Sequence, residues 1–311
     1  MKKILCLNPH WNDSIKSESI SFINEINPAF LSLSTIKQLN WLCRNARDYN
    51  TVVFYRNYHL AVMYGLFSII RKQSLILHEF YLPNRIGCLK QKYFKLLLSL
   101  MDKTIVHSSF ETKYLAKKFN ISESRFAFIR YFYYDHFEEP SDIPHSKLKV
   151  VVPGRHRDLN ILNEIQRFDN LDFVVVGGKD DSIPFRHDNV EAKYEVSKDD
   201  YDKIFASADL ILIPLSKEYN RSLGQIALMK AYVLRKPLIV SPLPIIEDYI
   251  HPDACIEYTP GNAESLNEAI RKYLSLNDSE KRRMLDAGQN FVKNFSRRNY
   301  AEQFKQVMLS L

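Results

Sequence analysis

Short apolar runs recur along the first half of the chain. They lie at 2–8 (KKILCLN), 51–57 (TVVFYRN), 74–80 (SLILHEF), 103–109 (KTIVHSS) and 126–132 (FAFIRYF). Each has the length of a buried strand. Between them, 34–47, 58–71, 88–101 and 109–119 carry helical spacing. Strands alternating with helices predict a parallel sheet with crossover helices. Residues 135–147 (DHFEEPSDIPHSK) are acidic, hold two prolines and lack periodicity, which predicts a linker. The pattern then restarts. Strands are predicted at 147–154, 171–178, 209–215, 236–242 and, as a short edge, 254–260. Helices are predicted at 158–168, at 197–208 behind a Ser197 cap, around 224–234, and at 263–274, 278–293 and 296–309. Two doubly wound α/β domains follow.

Composition sharpens this picture mainly by exclusion. The 311 residues hold only 8 glycines, against roughly 7% in average proteins, and none precedes Gly65. That rules out a Gly-x-Gly-x-x-Gly turn or a P-loop after the first strand. If backbone approaches a phosphate closely, it does so in the second half. No apolar run nears the length of a membrane span, and the N-terminus reads as a strand rather than a signal peptide. Cys6, Cys43, Cys88 and Cys255 are scattered, as expected of reduced thiols in a cytoplasmic protein. The net charge of +7 is uneven. Residues 1–146 hold 19 Lys and Arg against 12 Asp and Glu, whereas the remainder holds 24 of each. A basic first half predicts an anionic partner: a lipid surface, a phosphorylated acceptor or nucleic acid.

Ligands of open α/β sheets bind beyond the carboxyl ends of the strands. After the strand at 149–152 comes Pro153-Gly154-Arg155-His156-Arg157-Asp158. A glycine turn, two arginines and a predicted helix start near Asp158 suit phosphate oxygens. After 209–215, Arg221, Ser222, Gly224 and Gln225 precede a second helix start. The two segments converge if their strands are neighbours, and together they point to a diphosphate.

These residues resemble a family. VVPGRHRDLNILNEI, LDFVVVGG, VSKDDYDKIFASADLILIPL and RSLGQIALMKAYVLRKPLIVSPLPIIEDYI are similar to the donor-binding half of retaining glycosyltransferases of family 4, across roughly 148–250. The first half matches more loosely, through LILHEFYLP and DKTIVHSSFETKYLAKKFNI. The resemblance implies a GT-B fold: two Rossmann-like domains facing a central cleft, with a C-terminal helix crossing back to the first. The corresponding domains are 1–146 on the acceptor side, 147–295 for the donor, and 296–311 for the crossover helix. It implies transfer from a nucleoside-diphosphate sugar to a glycan, lipid-linked or protein-linked acceptor, with retention, no cofactor and no metal.

On this resemblance His78 and Arg155 are the candidate catalytic residues. Gly154, Arg157, Tyr194, Glu195, Val196, Ser222, Leu223, Gly224, Gln225 and Lys230 form the candidate donor site. Asn8, His10, Trp11 and Glu79 form the acceptor side, where Asn8-Pro9-His10-Trp11 replaces the glycines usual in the family. The family's Glu-x7-Glu pair falls on Ser222 and Lys230, neither of them acidic. A histidine titrating near neutrality suits work on an acceptor hydroxyl.

Each assignment has a plainer counterpart: a core histidine at 78, loop charges at Arg155 and Arg157, a helix cap at Ser222, a solvated Lys230. The segment 87–103 is apolar on a broad face. It reads as a core helix, or as one touching anionic lipid through Lys90, Lys92 and Lys95 at the inner face of the membrane. A catalytically silent GT-B subunit or glycan-binding partner is the first rival, motivated by Ser222 and Lys230. A nucleic-acid-binding protein is the second, but no recognition motif supports it and no nucleic acid is expected.

Overall fold

The strands foreseen in the first half all form, each shorter than the apolar run that encodes it. The computed structural model describes residues 3–7, 20–83, 85–133, 146–217 and 223–311. Strands β1 (Ile4–Cys6), β3 (Thr51–Tyr55), β4 (Ser74–His78), β5 (Lys103–Val106) and β6 (Phe126–Phe128) pair in parallel. The residues that end each run leave the sheet and begin the loops. One further strand, β2 (Ile20–Phe22), pairs with β1 and runs into a single helical turn, α1 (Ile23–Ile26). Three residues are too few to show a period, so the sequence carries no signal for it.

Two compact units make up the chain. The first contains the described residues up to Arg130 together with Arg297–Leu311, and the second contains Tyr131–Ser296. Tyr131 and Tyr133 already bond within the second unit, through the Tyr249 hydroxyl (2.6 Å) and the Phe295 carbonyl (3.0 Å). Asn8, His10 and Trp11, most of the 135–147 linker, and Arg221 and Ser222 lie outside the described residues.

In the first unit the strand order is β2-β1-β3-β4-β5-β6. Helices α2 (Thr35–Asn45), α3 (Tyr58–Ser68), α4 (Cys88–Leu100) and α5 (Ser109–Phe119) connect the strands. The Asn57 side chain caps α3 by accepting from Leu60 N (3.2 Å), and Ser108 caps α5. Leu5, Val52, Phe54, Leu75, Leu77, Leu97 and Leu115 are among the buried core.

The second unit has the order β12-β11-β10-β7-β8-β9, again parallel. These strands are β7 (Leu148–Pro153), β8 (Leu171–Gly177), β9 (Val190–Tyr194), β10 (Leu210–Ile213), β11 (Leu238–Val240) and β12 (Ile256–Glu257). Counted from β7, this is the 3-2-1-4-5-6 arrangement of doubly wound folds, whose order reverses between β7 and β10. Helices α7 (Lys198–Ala206), α8 (Gln225–Val233), α9 (Ala263–Ser275) and α10 (Asp278–Val292) flank it, and α11 (Arg297–Leu309) follows. Ser197 caps α7 as foreseen, accepting from Asp200 N at 3.1 Å.

One expectation fails. The helix predicted over 158–168 is a single turn, α6 (Ile161–Glu164). Leu159, Ile161, Leu162, Ile165 and Phe168 are buried as an amphipathic helix would bury them. The chain nevertheless turns extended at Ile165, because the buried Asn267 carboxamide of α9 accepts from Gln166 N at 3.0 Å. A side-chain acceptor thus takes an amide that a longer helix would have used internally. So short a turn carries little dipole toward Arg155 and Arg157.

Helix α10 seats α8 through Gly288. A Cβ there would lie 2.6 Å from the ring of Tyr232, which is 2% exposed. Gly288→Val is expected to overpack this contact and lower stability by about 2 kcal/mol or more, read as a drop in melting temperature. An unchanged midpoint would show that the two helices can separate freely.

Candidate functional site

At the switch point of the second unit the loops after β7 and β10 meet. Asp158 N donates to the Pro214 carbonyl (2.9 Å), and Arg157 bridges to Leu215. The convergence that the sequence made conditional on neighbouring strands therefore occurs.

The first loop depends on Gly154. Its φ is +92°, and a Cβ would fall 2.6 Å from Arg157 Nη2. Arg157 folds back beneath the loop, with Nε donating to Pro153 O (2.8 Å) and Nη1 to Arg155 O (3.0 Å). Burial pushes its pKa down to about 10, against the charges of Tyr201 and Asp181. Arg157 is thus not a loose loop charge: it braces the loop. Arg155 points outward and is 62% exposed. Its Nη2 reaches both carboxylate oxygens of Glu195, at 3.0 and 3.2 Å. The Arg155 side chain lies over Gly178, where a Cβ would meet Nε at 2.7 Å. Glu195 also accepts from Lys179 N (2.8 Å) and holds a left-handed φ of 53°.

Asp181, which the sequence presents as an ordinary loop residue, ties the two strand ends together. It accepts from Gly178 N (2.8 Å) and from His156 N (3.0 Å), the latter in a left-handed conformation. Beside these loops lies a hollow of about 410 Å³. Gly154, Arg155, Val176, Gly177, Glu195, Val196, Ser197, Lys198 and Tyr201 line it. Of the expected donor residues, Gly154, Glu195 and Val196 come together here with the candidate catalytic Arg155. Gly177, Ser197, Lys198 and Tyr201 join them without having been singled out as ligands. The repeated Gly177-Gly178 and the Ser197 cap were the only signals in the sequence that could have found them. Tyr194 ends β9, and its buried hydroxyl has no hydrogen-bond partner among the described residues.

The other donor candidates sit apart from this lining. Gly224 takes the N-cap of α8 at φ +89°, packed against Leu215, and Leu223 before it is half-buried. Gln225 is buried, and its Nε2 donates to Ile245 O (3.2 Å), so it fastens the loop after β11. Lys230 corrects the picture of a solvated helix residue. It is 4% exposed, ion-paired with Asp202 of α7, and lies 4.8 and 4.7 Å from the rings of Tyr201 and Phe205. Burial lowers its pKa, and the Asp202 carboxylate opposes the fall. Burial raises the Asp202 carboxyl, but Lys230 and Lys198 outweigh that and hold it below its ordinary value. Lys230 therefore supports Tyr201 from behind rather than facing the hollow.

In the first unit, β3 and β4 end in adjacent left-handed residues, Arg56 (φ 52°) and Glu79 (φ 62°), whose side chains are ion-paired. Non-glycine residues pay roughly 1–2 kcal/mol for that conformation, so the pairing of two marks a constrained edge. His78 is wholly buried. Its Nε2 lies 2.6 Å from the Tyr300 hydroxyl of α11, and its ring stacks on Phe304 at 4.6 Å. Burial, His107 and Arg56 hold its pKa well below the usual imidazole value. The expectation that His78 titrates near neutrality is thus corrected: C-terminal residues desolvate it, and it stays neutral. Nearby, Tyr55, Arg56, Asn57, Tyr58, His59, Tyr81, Pro83, Leu89, Lys90, Tyr93 and Phe94 line a hollow of about 770 Å³. Tyr58 organises its floor, donating to Glu79 O (3.3 Å) and accepting from Tyr81 N (2.6 Å).

No protein-family model matches the chain, and no curated protein does. Solved structures do match in fold. A glycosyltransferase from Rickettsia africae is 14% identical with a TM-score of 0.69, covering 99% of this chain and 98% of its own. HepE of Anabaena, in complex with UDP and glucose, is 11% identical with a TM-score of 0.69 over 100% of both chains. Sucrose-phosphate synthase from Thermosynechococcus elongatus is 17% identical with a TM-score of 0.66, over 91% of this chain and 78% of its own. The fold is the paired Rossmann-like α/β architecture of GT-B glycosyltransferases.

Two outcomes follow from the buried charges. His107, like His78, is held down by burial, to about 4. Its folded pKa is below the unfolded value near 6.5, so the unfolded chain binds more protons between those limits. Stability is full above pH 6.5 and declines as pH falls toward 4. Melting temperatures across that range should drop, and less steeply in His107→Gln; a flat profile would contradict the burial. Lys230→Glu sets a second carboxylate against Asp202 and is expected to cost about 2–4 kcal/mol in thermal unfolding. Lys230→Met leaves Asp202 its Lys198 partner and is expected to cost less.

Proposed function

We propose that this chain is a glycosyltransferase that moves a sugar from a nucleoside-diphosphate donor to a glycan, lipid-linked or protein-linked acceptor, with retention. The observation that carries this reading is the hollow of the second unit. There an exposed arginine from the loop after β7 overhangs the glycine pair that ends β8, beyond the carboxyl ends of a doubly wound sheet. HepE, bound to UDP and glucose, shares the fold over its full length, which supports a nucleotide sugar as the ligand.

In this reading the diphosphate takes the Arg155 guanidinium from Glu195, since a doubly charged anion outcompetes a single exposed carboxylate for a forked donor. Gly154 and Gly177 let backbone approach the ligand. The backbone around Tyr194, Glu195 and Val196 reads the base, with Tyr201 as a wall. Leu223, Gly224 and the first turn of α8 face the sugar end. The bond from anomeric carbon to phosphate oxygen breaks and one from acceptor oxygen forms, the acceptor proton leaving with the phosphate. Arg155 and the α8 amides offset the charge that builds on the leaving group, so the proposal calls for no metal or cofactor. Neutral His78 and the Arg56–Glu79 pair shape the acceptor edge. The protein would act on the cytoplasmic side of the membrane, in assembly of a surface polysaccharide or glycolipid.

The test is calorimetric binding of UDP-, GDP- and dTDP-sugars, followed by nucleoside diphosphate release with acceptor. One nucleotide is expected to bind, and Arg155→Ala to weaken it at least tenfold with an unchanged circular dichroism spectrum. Absence of binding to every nucleotide, or wild-type affinity in Arg155→Ala, sinks the proposal. Binding without turnover would favour a silent partner subunit, the reading that Lys230 in place of a carboxylate motivates.

A further inference from the structure

Of thirteen large apolar side chains exposed among the described residues, seven lie on two neighbouring helices of the first unit and the turn between α3 and β4. Met63, Leu66 and Phe67 of α3 are 37%, 50% and 37% exposed, and Ile69 and Ile70 just beyond it are 67% and 85% exposed. Positions 63, 66, 67 and 70 fall on one stripe at helical spacing. On α4, Leu89 is 83% and Leu96 is 42% exposed. The two helices pack closely, for a Cβ on Gly65 would sit 3.1 Å from Leu100 Cβ. Helix α3 is thus apolar on both its core side and its outer side, which a helix with only a core to face does not need.

The charge carried by these two helices and the turn between α3 and β4 has one sign. Lys72, Lys90, Lys92 and Lys95 are all exposed on the same two segments. From residue 57 to 101 the chain contains a single carboxylate, Glu79, which is buried and ion-paired to Arg56. A protein partner would ordinarily meet a surface of mixed sign, and lysine is depleted from such interfaces. Apolar side chains ringed by lysines without any carboxylate fit the acyl–headgroup boundary of an anionic bilayer, where lysine stems lie along the apolar layer and ammoniums reach phosphates. Among the described residues no helix is long and apolar enough to cross a membrane.

We propose that the outer face of α3, the turn after it and α4 dock the protein onto anionic lipid, with Leu66, Phe67, Ile69 and Ile70 entering the interface and Lys72, Lys92 and Lys95 binding headgroup phosphates. Leu89 and Lys90 belong both to this face and to the lining of the 770 Å³ hollow. A lipid-borne ligand therefore reaches the hollow without leaving the surface. The docking face stands whether or not the transferase reading does, because it uses no residue of the second unit.

The full chain is tested by co-sedimentation with vesicles of phosphatidylcholine alone and of phosphatidylcholine with phosphatidylglycerol, at low and high salt. Binding is expected only to the anionic vesicles, and high salt should weaken it. Leu66→Glu/Ile70→Glu and Lys72→Gln/Lys92→Gln/Lys95→Gln should each reduce it roughly tenfold or more. Nucleotide binding, measured in parallel, should be unchanged in both variants; its loss alone would count against the transferase reading and leave the docking face intact. Equal binding to neutral and anionic vesicles, no binding to either, or undiminished binding in both variants overturns the proposal. So does a wild-type oligomer that Leu66→Glu/Ile70→Glu turns into a monomer, which would identify a second copy of the chain as the occupant.

Discussion

The Asp181 carboxylate accepts one hydrogen bond from the loop after β7 and one from the loop after β8, through His156 N and Gly178 N. Strand-end loops leave backbone amides without sheet partners, and buried amides must find acceptors. Asp181 supplies one acceptor to each loop at once. That fixes the distance between them, and with it the place where Arg155 crosses Gly178. Arg157 completes the tie from below, its guanidinium closing on two carbonyls of its own loop. The hollow beside them is therefore a rigid consequence of two charged side chains that themselves need touch no ligand. Glu195 plays the complementary part. It sits in a left-handed conformation and presents the exposed Arg155 with a carboxylate on the open side.

The layered α/β plan was legible because parallel strands buried on both faces are written as unbroken apolar runs, and the helices between them as 3.6-residue periods. Caps were legible for the same local reason: Ser197 needs only its own next few residues. What stayed hidden depends on residues far apart in sequence. Asn267 stops a helix a hundred residues before it. Tyr300 and Phe304 desolvate His78 from more than two hundred residues away, which removes the near-neutral titration that an isolated imidazole promises. Strand β2 was missed because it is three residues long.

In the site, Gly154 and Gly224 could be read because both stand at a strand-to-helix turn and both take positive φ. Lys230 could not. Its helix is apolar almost all round, and nothing in α8 itself announces that Asp202 of a different helix neutralises it between two aromatic rings. Aligned against a familiar motif, the lysine looked like the loss of a carboxylate. In the fold it is half of an ion pair that keeps the wall of the hollow in place through Tyr201. The uneven charge of the chain resolves in a similar way. Much of the first half's excess is collected on α4 and the turn before β4, and the single carboxylate of that region is turned inward.

Helix α11 belongs to the first unit although the whole second unit lies between it and the rest of that unit in sequence. A ribosome delivers the chain from its N-terminus at roughly 5–20 residues per second. The second unit, Tyr131–Ser296, is thus complete while the first still lacks Tyr300, Phe304 and Met308, side chains that lie wholly or almost wholly out of water in the finished fold. For an interval on the order of ten to thirty seconds at those speeds, the stacking face of His78 stands uncovered. The unit whose synthesis begins first is therefore the last to have all of its buried side chains.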